Sequence, residues 1–128
     1  MHTMAESNVE LARRGYEAIT RGDYDAIARL LDPDVKWHAG DPTAEFACKN
    51  RGQALRFMRR PERRGPGELV EVLDAGDDRV VVVTRRDSED GESPVLGANV
   101  TTFRDGKVVE MVHYPDRAAA LAAVGITG

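Results

Sequence analysis

The sequence holds one cysteine, Cys48, among 128 residues. A lone thiol excludes an internal disulfide and any metal site built from several cysteines. No apolar run approaches the length needed to span a bilayer. There is no glycine-rich phosphate loop, no Gly-x-Ser-x-Gly elbow and no cluster of metal-ligating residues. His2, His38 and His113 lie far apart along the chain, so neither a metal nor a cofactor is expected. Positive charge is not in excess either. Eighteen Lys and Arg against 22 Asp and Glu give a formal net charge of −4, which argues against nucleic acid as a partner by bulk electrostatics. The opening "MHTMAESN" lacks the apolar core of a secretory signal, so the cytoplasm is the expected location.

What is present is an ordinary globular balance, 41% hydrophobic and 31% charged. The length suits one domain with a core and one modest pocket. Residues 1–6 are set apart as a disordered or vector-derived segment, leaving 7–128 as a single domain.

Local signals give the element order. Ser7 and Glu10 have capping-box spacing, and Val9, Ala12, Tyr16 and Ile19 recur on one face of a first helix that Gly22 can end. Asp23 caps a second helix carrying Tyr24, Ile27, Leu30 and Leu31, which "DPD" stops. "VKWHA" alternates as a short strand. Asn50 with Gln53 opens a third helix, "RGQALRFMRR", ended by Pro61 and followed by a linker, "PERRGPGE". Four strand-like runs come next: "ELVEVLDA", "RVVVVTRRD", "VLGANVTTF" and "KVVEMVHY". The polar "SEDGESP" turns between the middle two, and Asp-Gly in "RDG" marks a hairpin between the last two. Asp116 then caps "RAAALAAV", which Gly125 closes with Ile126 packing back. Helices gathered before a run of antiparallel strands predict an α+β domain with helices on one side of a curved sheet.

The stretches "YEAITRGDYDAIARLLDPDVKWH", "NRGQALRFM" and "FRDGKVVEMVHYPDRAAALAAVGI", in that order, resemble the NTF2-like superfamily, specifically its SnoaL-like bacterial branch. The resemblance implies a cone-shaped, cystatin-like α+β roll: a curved antiparallel sheet wrapped by helices around an apolar pocket. It implies a homodimer through the outer sheet face. The superfamily includes ketosteroid isomerases, polyketide cyclases and limonene-type epoxide hydrolases, so the fold alone does not choose an activity.

The resemblance turns the face bearing Trp37 into the cone, where an indole forms wall and can donate one hydrogen bond. The isomerases' general-base aspartate would fall at Ala39, so their usual proton shuttle lacks its base; Asp41 could substitute only if its loop folds inward. His113 alternates with Met111 and Val109 on the last strand, opposite to Glu110, Val112 and Tyr114, and can carry a proton near neutral pH. Asn99 can donate to a carbonyl or developing oxyanion. Whether Asn99 meets His113 depends on the hairpin register. A two-residue turn pairs Arg104 with Lys107 and puts Asn99 with Val112. A three-residue turn with a bulge pairs Phe103 with Lys107 and puts Asn99 with His113.

Arg85 and Asp87 form part of an epoxide-hydrolase-like group whose second carboxylate is not identifiable. Arg56, Arg59, Arg60, Arg63 and Arg64 form a basic patch, read as solvated. Asp116 reads as a helix cap. The expected pocket is lined by Trp37, Val83, Phe57, Met111 and His113, with Tyr16 and Asn99. The expected function is binding of a small hydrophobic molecule, with cofactor-free acid–base chemistry by His113 and Asn99. The alternative is a ligand carrier or dimerisation module.

Overall fold

The computed structural model describes residues 7–41, 43–45, 47–59, 68–87 and 94–126. The elements are α1 (Asn8–Arg21), α2 (Tyr24–Leu30), β1 (Leu31–His38), α3 (Arg51–Met58), β2 (Glu68–Gly76), β3 (Arg79–Asp87), β4 (Pro94–Arg104), β5 (Lys107–Tyr114) and α4 (Arg117–Ala123). Their order is the one the sequence predicts. Segment 1–6, most of the expected linker (61–67), the polar turn (88–93) and Arg60, Arg63 and Arg64 lie outside the described residues.

Each helix starts where a side chain satisfies an orphan backbone amide. Ser7 Oγ accepts from Glu10 N at 3.2 Å, the N-cap half of a capping box, and donates to Glu10 Oε1 at 3.2 Å. Asp23 accepts from Ala26 N at 3.1 Å. Asn50 accepts from Gln53 N at 2.9 Å, and Gln53 Oε1 returns the contact by accepting from Lys49 N at 2.7 Å. Asp116 Oδ1 accepts from Ala119 N at 2.8 Å, so its carboxylate is committed to α4. Leu31, expected on the second helix, is instead the first residue of β1 and pairs with Val108. Pro33 disfavours helical geometry at Asp32, whose carboxylate accepts from Asp34 N at 2.9 Å, and the pairing with β5 is interrupted until Lys36.

The sheet order is β1-β5-β4-β3-β2. Three pairings are antiparallel, as expected, but β1 runs parallel to β5. The whole β-meander separates these two strands, and so long a connection permits the parallel direction that a tight turn forbids.

The helices do not all lie on one side. α1, α2 and α3 cover one face, here the inner face, where Val35, Val72, Val80, Val82, Phe103 and Val108 are buried. α4 covers the other, outer face through Ala120, Leu121 and Val124, over Val81, Val83, Ala98 and Val100. The tract "VVVV" at 80–83 therefore feeds two cores at once, its alternate side chains going to opposite faces.

The β4–β5 hairpin combines the two registers the sequence allows. Asp105 and Gly106 form a two-residue turn with φ of 53° and 78°, the geometry that matches strand twist, and Arg104 pairs with Lys107. A bulge then intervenes, because Phe103 pairs with Val108 whereas Thr102 pairs with Glu110. Val109 is the extra residue, and Val108 takes the inner-face place expected for it.

Two outcomes test this framework. A methyl group at Gly106 would meet nothing within 4 Å, so Gly106→Ala probes backbone conformation alone. It is expected to cost about 1–2 kcal/mol in urea unfolding. The tie between α4 and β2 is Arg117 Nε donating to Glu71 Oε1 at 2.7 Å. That hydrogen bond holds the Glu71 carboxyl below its ordinary 4.5. A depressed acid stabilises the fold above its unfolded value and loses that contribution as pH falls through the folded one. Glu71→Gln should thus lower the melting temperature at neutral pH, the gap closing well below pH 4.5.

Candidate functional site

The inner face is built in rows across the strands. Cys48 bridges the free edge of β1 at Trp37, with Cys48 N donating to Trp37 O at 2.8 Å. Trp37 pairs with Met111, Met111 with Thr101, and Thr101 with Val80. The adjacent row is His113–Asn99–Val82–Val72. Burial decreases along the strands, from Phe103 through Thr101 to half-buried Asn99 and Thr84 and finally to exposed His113. One end of the inner face is a packed core, and the other is open and polar.

At the open end Asn99 and His113 are direct cross-strand partners. Thr101 Oγ1 donates to Asn99 Oδ1 at 2.6 Å, which occupies the amide oxygen and leaves the amide nitrogen as the group to donate. The imidazole leans over Gly97: a Cβ there would lie 3.7 Å from His113 Cε1 and 3.9 Å from Thr84 Oγ1. A methyl group at 97 would make ordinary van der Waals contact with the ring. His113 is therefore on the face the sequence indicates, at its rim and not in its interior.

Trp37 and Met111 are half-buried against the inner core, and the Phe57 ring meets Trp37 edge-on at 5.0 Å and 90°. Val83 is a correction. It is 2% exposed and packs against α4 on the outer face, because alternation along β3 sends Val82, not Val83, inward. Tyr16 is half-buried on α1.

A cavity of about 310 Å³ opens beyond the β1 edge, lined by Glu45, Ala47, Cys48, Lys49, Gln53, Arg56 and Phe57. Of the expected pocket residues it contains Phe57. The others of its wall come from the loop after β1 and from α3, whose tertiary meeting no local pattern announces.

Other candidates resolve into structural roles. Arg85 makes an ion pair with Glu68 across β2 and β3, on the outer side, which removes it from the inner face. Asp41 is exposed; the Thr43 hydroxyl, then the Thr43 backbone amide, hold its carboxyl below the usual range, which weakens it as a base. Ala39 is exposed. Among the described residues no group of three or more His, Cys, Asp or Glu could hold a metal ion.

One pair is new relative to the sequence reading. His38, with a side chain 6% exposed, sits 2.8 Å from Glu110 Oε2 through Nε2, and its Nδ1 accepts from Gly40 N at 3.0 Å. An Nδ1 that accepts must be unprotonated, so Nε2–H donates to Glu110 and both ring nitrogens are used. The pair latches the loop after β1 to β5. Outward parity of His38 and Glu110 was readable, but the β1–β5 pairing was not. Glu110→Ala leaves a buried N–H without its acceptor and should cost about 1–3 kcal/mol in urea unfolding, with ligand binding at the inner face unchanged.

Residues 12–111 match the SnoaL-like domain family. No curated protein matches the sequence significantly. Among solved structures, Bal32a from a soil-derived mobile gene cassette is 26% identical, with a TM-score of 0.70 over 91% of this chain and 95% of that one. An NTF2-like protein of unknown function from Burkholderia pseudomallei is 22% identical, with a TM-score of 0.66 over 94% and 99%. A candidate polyketide cyclase from Sinorhizobium meliloti is 19% identical, with a TM-score of 0.65 over 82% and 94%. With the match spanning most of its length, the chain belongs to the SnoaL-like domain family.

Proposed function

We propose that this protein binds a small, largely apolar molecule against the inner face of its sheet and performs cofactor-free acid–base chemistry on a carbonyl compound there. The observation that carries this is the Asn99–His113 pair at the open, polar end of a face whose other end is apolar, with the Asn99 oxygen occupied by Thr101. In this reading the Asn99 amide nitrogen donates to the carbonyl oxygen as it gains negative charge. His113 takes a proton from the adjacent carbon and returns it to another atom, an isomerase- or cyclase-type step. Trp37, Met111 and Phe57 supply the apolar wall, and Tyr16 contributes from α1. A solved neighbour described as a candidate polyketide cyclase has the same fold, which is compatible with this chemistry. The protein acts as a homodimer in the cytoplasm, joined through the part of the outer face that α4 leaves open, where Leu96 is 48% exposed.

The competing reading is a carrier, favoured by the alanine at 39 where the isomerases keep their base. The two separate in one experiment. 2-Tetralone is incubated with the protein in D2O, its binding followed by Trp37 fluorescence and its α-proton exchange by NMR. The proposed chemistry requires exchange faster than buffer, a loss of about 10²-fold in His113→Gln, and binding retained in that variant. Binding with exchange no faster than buffer makes the protein a carrier.

A further inference from the structure

We infer that the cavity beyond the β1 edge is a recognition site for the carboxylate of a monocyclic or bicyclic aromatic acid, and so that the ligand is an anion with an apolar body. This rests on the reading above that the chain binds small molecules, and adds the chemical class. The cavity, at about 310 Å³, falls within the range of small-molecule sites. Its apolar lining is Ala47, Cys48 and Phe57, and the Phe57 side of α3 stays 37% exposed although it is a large hydrophobic residue. Its charged lining is Lys49 and Arg56 against Glu45, two cations to one anion.

The polar groups present donors. Lys49 Nζ donates to Ala44 O at 3.1 Å, which holds the ammonium at the loop while leaving it further protons to give. Gln53 Oε1 already accepts from Lys49 N at 2.7 Å, so its amide nitrogen is the end that remains to donate. Arg56 has no ion pair or hydrogen bond among the described residues, and its planar fork suits two carboxylate oxygens. Phe57 is a wall of this cavity and its ring also meets Trp37 edge-on, so occupancy of the cavity is sensed at the indole.

The test titrates 1-naphthoate and its neutral isostere 1-naphthamide, following Trp37 fluorescence and calorimetry. Naphthoate is expected to bind about tenfold tighter than the amide, with the difference shrinking as salt rises. Arg56→Gln should abolish that preference, and Glu45→Gln should enlarge it. Opposite signs from two exposed side chains separate an electrostatic site from a folding defect, and unchanged thermal melts confirm it. Equal binding of the two probes, or a preference that survives Arg56→Gln, overturns the inference. If the amide binds as well as the acid and tetralone exchange still depends on His113, only the anion site falls. If neither probe binds and no exchange is seen, the functional reading falls with it.

Discussion

The pairing of β4 with β5, and the single extra residue within it, governs which inner-face side chains of these two strands meet. Asp105 and Gly106 close the tightest turn available, which by strict alternation would set Asn99 beside Val112. The bulge at Val109 shifts the register by one and sets Asn99 opposite His113 instead. The same shift moves Met111 into line with Thr101 and, through the parallel pairing, with Trp37. A backbone irregularity of one residue thus assembles the candidate site.

The sheet is two-sided in its energetics. Burial of Val80 and Val82 beneath α1–α3 and of Val81 and Val83 beneath α4 makes β3 the shared floor of both cores. An all-apolar run suits such a strand, since both faces are out of water. The price is that no inner-facing position on β3 is polar until Thr84, so polar chemistry is confined to the open end and the β1 edge. The deep end, around Phe103 and Val108, holds the fold together and leaves no room for ligand.

The loop after β1 is tied at several points: His38 to Glu110 and Gly40, Lys36 to Lys49, Lys49 to Ala44 and Gln53. These contacts position Glu45, Ala47, Cys48 and Lys49 as cavity wall. The buried histidine is therefore the structural one and the exposed histidine the chemical candidate. A site needs a proton carrier that substrate and solvent can both reach, and His38 has both nitrogens committed.

Sequence alone determined the elements. Ser7, Asp23, Asn50 and Asp116 each act on amides three residues away, so the caps were legible without tertiary knowledge. The two-sided alternation of "KVVEMVHY" also placed Met111 and His113 together, opposite to Val112 and Tyr114. Only tertiary structure decided the rest. The Val109 bulge, the parallel β1–β5 pairing, the outer position of α4 and the His38–Glu110 contact join residues distant in sequence, and their energies come from packing that no local window contains. Val83 shows the limit most clearly: in a tract of four valines each residue is equally apolar, and only the placement of helices on both faces decides which ones meet α1–α3 and which meet α4.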